Sequence, residues 1–253
     1  MKLNIGAEEM YDRHADNWKR IEPMLLSDYS ARPFVIDKCM PLNGKKVLDL
    51  GCGEGYVGRE LLKQGASSVF GVDISDNMIQ KAIHIKEELG LDNATYKSED
   101  IRSFINNYKE NHSLIIAVFV FNYLSIDEMT SIMTKVYDLL EDGGSFVFAV
   151  PHPSLPFLKT DKYPFYFSPS AGYFSAINKK FPGEIWRRDG IAVDVQCVHK
   201  TFQDYFKALS KAGFKQLPDV EELGISEEHL ELDPDFFKPL YDIPLHVLFK
   251  LTK

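Results

Sequence analysis

Cysteine is scarce. The 253 residues hold three, Cys39, Cys52 and Cys197, odd in number, far apart and without a C-x-x-C pair, which argues against a disulfide framework or a zinc knuckle. Histidines and carboxylates nowhere cluster at metal-ligand spacing, so no metal is expected. Basic charge is in deficit: 29 Lys and Arg stand against 37 Asp and Glu for a formal charge of −8, and no Lys/Arg cluster overrides that average. Nucleic acid is therefore disfavoured as a partner. No apolar run approaches the length of a membrane span, and the first residues lack the apolar core of a signal peptide. The expectation is a soluble, cytoplasmic protein without membrane contact. Internal repeats and low-complexity tracts are missing as well.

What is there is organised around Lys46 to Gly58, KVLDLGCGEGYVG. Val47, Leu48 and Leu50 form an apolar run of strand length that stops at Gly51, Gly53 and Gly55, while Tyr56, Val57, Leu61 and Leu62 recur at helical spacing. A strand thus enters a glycine loop that opens onto a helix N-terminus, where unpaired N–H groups face outward. Glycines at alternate positions let a ligand lie against bare backbone. The stretch is a cradle for a nucleotide-like molecule.

Gly53, Gly55 and Gly58 also satisfy the G-x-G-x-x-G spacing of dinucleotide sites. Against that reading, Asp49 sits immediately before the glycines, where a carboxylate repels a pyrophosphate and suits a cation. The run Asp49, Leu50, Gly51, Cys52, Gly53, Glu54, Gly55 closely resembles the D-L-G-C-G-x-G motif of class I S-adenosylmethionine (AdoMet) dependent methyltransferases. The resemblance implies AdoMet as cofactor, whose sulfonium and ammonium an acidic loop accommodates, with Asp49, Gly51, Cys52, Gly53 and Gly55 around it.

Ser68 to Ile74 reads as a second strand ending in Asp73, about 20 residues past the glycines and placed to accept both ribose hydroxyls. Ser75 or Asp76 caps a helix that stops at Gly90. The resemblance implies that Ile74 and Met78 pack on the adenine. It also implies that Asp100, after a third strand from Ala94 to Lys97, accepts from the adenine amino group while the Ile101 N–H meets a ring nitrogen. Leu114 to Phe121 is an apolar, β-rich run expected to be buried on both faces of a parallel sheet. Phe119 at its end is a candidate to hold the methionine part through its carbonyl, with Asn122 and Tyr123 facing the acceptor; the same aromatic side chains equally suit the core. His112 and Ser113 stand where the family usually has an acid.

A helix from Ile126 to Leu140, stopped at Gly143 and Gly144, leads to a fifth strand, Ser145 to Val150. The alternation from Val47 to Val150 predicts an α/β fold with a doubly wound parallel sheet and helices on both faces. The resemblance extends this to seven strands with an antiparallel last strand. Every residue singled out lies at a strand's end or in the loop after it, where ligands bind in such sheets.

The chain divides into four parts: residues 1–43 as an N-terminal helical lid segment, 44–150 as the cofactor-binding core, 151–200 as an inserted substrate lid, and 201–253 as the rest of the core sheet. In the first, Tyr11, His14 and Trp18 share a helix face. They pack either on the core or over the cofactor, where Tyr11 and Trp18 would offer aromatic faces to the sulfonium. Arg32 is either an ordinary surface arginine or within reach of the cofactor carboxylate. In the third, prolines at 151, 153, 156, 164, 169 and 182 interrupt regular elements among many aromatics, and the alternative to a lid is an arm joining a homodimer. Ile191 to His199 suggests an extra strand, Thr201 and Asp204 open a helix closed by Gly213, and Phe214 to Val220 and Leu245 to Leu251 are the final strands. Glu221 to Pro239 reads as an irregular acidic loop.

Methyl transfer is an in-line displacement that needs an acceptor atom about 3 to 3.5 Å from the methyl carbon and water kept out. If the small-molecule acceptor must lose a proton, His152, His199 and Tyr11 are the candidate bases. Two alternatives stand beside an AdoMet-dependent methyltransferase acting on O, N or C. One is an NAD(P) oxidoreductase using Gly53, Gly55 and Gly58; the other is an AdoMet-binding protein without methyl transfer.

Overall fold

The computed structural model describes Gly6, Glu8, Glu9, Asp12 and residues 23–159 and 162–253. Tyr11, His14 and Trp18 lie outside them. The described part of the N-terminal segment is helical, with α1 at Leu26–Ser30 and α2 at Arg32–Lys38.

The core alternates β1 (Lys46–Leu50), α3 (Tyr56–Lys63), β2 (Ser68–Asp73), α4 (Asp76–Leu89), β3 (Ala94–Ser98), α5 (Ile101–Asn107), β4 (His112–Val118), α6 (Ile126–Leu139) and β5 (Leu140–Pro151). After a small separate sheet come α7 (Phe202–Ala212), β9 (Asp219–Leu223) and β10 (His246–Thr252). The seven-stranded sheet runs β3-β2-β1-β4-β5-β10-β9, with β10 antiparallel to both of its neighbours.

Period-two alternation builds a core on each face. Leu48 and Leu50 of β1, Ile115 and Ala117 of β4, Phe146 and Phe148 of β5, and Phe249 of β10 pack toward α5, α6 and α7. Val47, Leu114, Ile116, Val147 and Leu248 face α2 and α3. Phe148 stacks on Phe249 with centroids 4.6 Å apart, both fully buried, and each such ring contributes roughly 1.5–3 kcal/mol. Local chemistry fixes the helix ends. Ser125 Oγ accepts from Glu128 N while Glu128 accepts from Ser125 N, Thr201 and Asp204 repeat that box on α7, and Gly90 and Gly213 take left-handed C-caps.

Four expectations need correction. β4 starts at His112 and ends at Val118, because Phe119 takes φ 59° and turns the chain into a tight turn at Phe121–Tyr123. α6 ends at Leu139 rather than at the glycines, since Leu140 already pairs with His112 and Gly143 turns within an irregular start to β5. The proline-rich segment carries two strands, β6 (Phe165–Phe167) and β7 (Lys180–Trp186), which join the expected extra strand, β8 (Ala192–Val198), in a three-stranded antiparallel sheet. Phe165 and Phe167 are buried and Tyr166 between them is 56% exposed, a strand alternation that outweighs the neighbouring prolines. Lastly, β9 begins at Asp219, because Phe214 folds back on the end of α7 and packs on Phe146. The acidic stretch beyond it holds short helices α8 (Glu227–Leu232) and α9 (Pro234–Phe237).

Candidate functional site

The carboxyl ends of β1, β2 and β4 and the opposed start of β10 surround a cavity of about 380 Å³. Its floor is the glycine loop, tied to β2 where the Gly51 and Cys52 N–H groups donate to the Val72 carbonyl at 2.7 and 3.1 Å. Gly51, Gly53 and Gly55 all have positive φ, and their surroundings differ. A Cβ on Gly51 would lie 2.3 Å from Val120 Cγ2, and one on Gly55 would lie 2.5 Å from Tyr96 Oη. A Cβ on Gly53 would meet nothing within 4 Å, so that backbone is bare on the cavity side. Gly58 is a packing glycine, its Cβ position 2.8 Å from Val69 Cγ1.

Two carboxylates meet beside this loop. Asp73 Oδ2 accepts from Gly53 N at 2.9 Å and Oδ1 from Ser75 N at 3.0 Å. Burial nonetheless pushes its carboxyl above the usual range. Asp49 is 2% exposed; burial first, then the Asp73 charge, pushes it up to about 7, opposed by a hydrogen bond from the Gly58 backbone. The Arg32 charge pulls the Asp49 carboxyl down, but by less than burial and the Asp73 charge push it up. A ligand cation would relieve that repulsion.

Asp49, Gly51, Cys52, Gly53, Asp73, Ile74, Met78, Asp100, Ile101 and Phe119 all line the cavity. Gly55 stands behind it, against Tyr96. Asp100 caps α5, accepting from Arg102 N at 2.8 Å, and its carboxylate is gripped by the Arg102 guanidinium, which also reaches Glu128 at 2.9 Å. Cys52 is no nucleophile, since burial holds its thiol well above the usual value.

Two of the three candidate bases, His152 and His199, are not among the residues that line the cavity, which corrects the expectation for them. His152 Nε2 meets Glu222 at 2.7 Å and its Nδ1 meets Ser154 Oγ at 2.7 Å, because the chain turns toward β9 just past Pro151. His199 is buried between the Phe157 and Tyr173 rings, each 4.8 Å away, and burial pushes its pKa down. Tyr11 and Trp18 fall outside the described residues.

Three other residues matter more than their sequence context indicates. Arg32 is a buried wall residue, not a surface one, ion-paired to Asp28 at 2.8 Å. His246 reaches the cavity because antiparallel β10 begins where the parallel strands end, a placement the expected antiparallel last strand already implies. Buried Lys200 donates to the carbonyls of Phe121 at 2.8 Å, Val198 at 3.1 Å, and Leu124. It thereby pins the turn that carries Asn122 and Tyr123 to β8. Asn122 lines the cavity, and its Oδ1 is buried without a hydrogen-bond partner among the described residues.

Known proteins resemble this chain in sequence and in fold. A profile of the methyltransferase domain matches residues 42–179. The ubiquinone biosynthesis O-methyltransferase of Photorhabdus laumondii is 25% identical over 130 residues, 51% of this chain and 50% of that one. The chain spans about half the length of the curated relatives it matches. Among solved structures, an S-adenosylmethionine dependent methyltransferase from Mesorhizobium loti superposes with a TM-score of 0.62 at 22% identity, covering 87% of this chain and 96% of that one. The magnesium protoporphyrin IX methyltransferase of Synechocystis PCC 6803, with bound SAH, gives 0.62 at 16% identity over 97% of both chains. Since the matched profile spans more than half of the 253 residues, the chain belongs to the methyltransferase domain family, whose class I members its glycine loop resembles.

Proposed function

We propose that this protein is an AdoMet-dependent methyltransferase that moves a methyl group to a small organic acceptor in the cytoplasm. The observation that carries this reading is the bare face of Gly53, joined to Asp73 and flanked by a buried Asp49, whose carboxyl burial and the Asp73 charge push up against the weaker pull of Arg32. Asp73 uses two of its roughly four lone-pair sites on backbone N–H groups, leaving others for ribose hydroxyls. Asp49 suits the cationic amino acid end, and Ile74, Met78 and Ile101 form an apolar wall suited to the adenine. AdoMet supplies an activated methyl on a sulfonium; the chain's own part is to bind, orient and exclude water.

The small β6–β8 sheet supplies Phe165, Phe167, Ile185 and Val195 to the cavity wall, which supports its reading as the acceptor lid. Asp12 accepts from Ser75 Oγ at 2.5 Å, which ties that residue to the turn after Asp73. Family membership removes the dinucleotide alternative. Calorimetry with AdoMet, and NADH as the control, tests the reading: micromolar AdoMet binding with silence toward NADH is expected, and no AdoMet binding would overturn it.

A further inference from the structure

His246 is placed for chemistry that His152 and His199 are not. Ser30 Oγ donates its single proton to the Leu26 carbonyl at 2.9 Å. With that proton on Leu26, Ser30 Oγ accepts from His246 Nδ1, 2.9 Å away, the tautomer that carries the ring proton on Nδ1. Nε2 is left with its lone pair, and no described residue hydrogen-bonds to it. The ring lines the cavity and meets Phe119 edge-on at 5.0 Å.

We propose that His246 Nε2 is the proton acceptor for methyl transfer and that the acceptor is an uncharged hydroxyl compound on an apolar body. This rests on the AdoMet reading given above. The hydroxyl oxygen forms the bond to the methyl carbon, the carbon–sulfur electron pair returns to sulfur, and the O–H proton passes to Nε2. The positive charge lost at sulfur reappears on the ring, so the buried site's total charge does not change.

Three observations select the hydroxyl. Asn122 Oδ1 and His246 Nε2 are acceptors without partners among the described residues, so they call for a donor, which a carboxylate lacks. Phe165, Phe167 and Val195 supply an apolar wall. Burial, then the Arg32 charge, pushes the His246 pKa down to about 3. So weak a base cannot strip an ammonium, whose nitrogen has no lone pair until it loses a proton. A hydroxyl oxygen attacks while still protonated, and once alkylated it is acidic enough to protonate even this ring.

The test holds one ring constant and varies its head group: phenol, anisole, benzoate and benzylamine, offered to the full chain with S-adenosylhomocysteine. Long-range proton–nitrogen NMR of histidine-labelled protein should show Nδ1 protonated and Nε2 bare, with Nε2 shifted by phenol and not by anisole; H246Q assigns the signal. With labelled AdoMet, phenol should gain methyl and benzoate and benzylamine should not. H246Q should then lower kcat on the order of 100-fold or more with AdoMet affinity kept within about twofold. A proton on Nε2, a ring indifferent to phenol, unchanged kcat in H246Q, or preferential methylation of benzoate overturns the inference. If AdoMet binds in calorimetry and these fail, the inference alone falls; if AdoMet does not bind, the underlying reading falls.

Discussion

Asp73 and Gly53, 20 positions apart, are joined by a 2.9 Å hydrogen bond from the loop's N–H to the carboxylate. The bond makes the acid at the end of β2 part of the glycine loop, so a change in one is felt in the other. Asp73→Ala should weaken AdoMet binding by about 10- to 100-fold, the worth of one or two charge-assisted hydrogen bonds. Calorimetry reads this directly, and unchanged affinity would remove Asp73 from the site.

The three loop glycines should separate under alanine substitution. Gly51→Ala and Gly55→Ala drive a Cβ into Val120 and Tyr96, so both should lower the melting temperature markedly. Gly53→Ala meets no protein atom and carries only the left-handed backbone penalty of about 1–2 kcal/mol. Its larger effect should be on AdoMet affinity, because the new methyl enters the ligand's space. Thermal melts with and without AdoMet distinguish the two patterns.

Asp49 makes binding pH-dependent. Its carboxyl titrates near 7 in the folded protein against an ordinary 3.8. The folded state therefore binds the extra proton between those values, and this group's contribution to stability is full below 3.8 and lost as pH rises through 7. Asp49→Asn should abolish that slope and raise the melting temperature of the ligand-free protein at pH 8. A bound cation favours the ionised carboxylate, so AdoMet binding to wild type should release a proton near pH 6. Calorimetry in buffers of differing ionisation enthalpy measures it, and the variant should show none.

Lys200 fastens the Phe121–Tyr123 turn to β8 through three backbone carbonyls. Lys200→Met strands buried acceptors at roughly 1–3 kcal/mol each. A lower melting temperature should come with reduced kcat while AdoMet affinity changes little, if the turn holds the acceptor as proposed. Equal loss of both would point to general unfolding.

His152 is tied to Glu222 and Ser154, away from the cavity. His152→Ala should leave turnover within about twofold of wild type, and a loss beyond tenfold would restore it as a candidate base.

The strands and helices from Val47 to Val150 are legible in the sequence because apolar period and glycine stops agree at every step. Asp73 is legible for the same reason, since an acid at a strand tip beside a glycine loop has few other uses. The direction in which His152 and His199 point is not. A side chain just past a strand is aimed by the packing of elements farther along the chain, here β9 for His152, and by close aromatic neighbours, here the Phe157–Tyr173 pair for His199. Ser30 and His246 carry no local signal either, because their pairing exists only once β10 lies beside β5. Of the small sheet only β8 is legible, and β6 is hidden because the proline spacing masks the alternation of Phe165, Tyr166 and Phe167.

The Ser30–His246 contact spans 216 positions of the chain. A nascent polypeptide that has emerged only through β5 already carries the loop and both acids, but it lacks the histidine proposed to take the proton. Such long-range closure is slow compared with local helix formation. On that proposal, turnover waits for the last strand to thread between its neighbours, and half-made chains are silent.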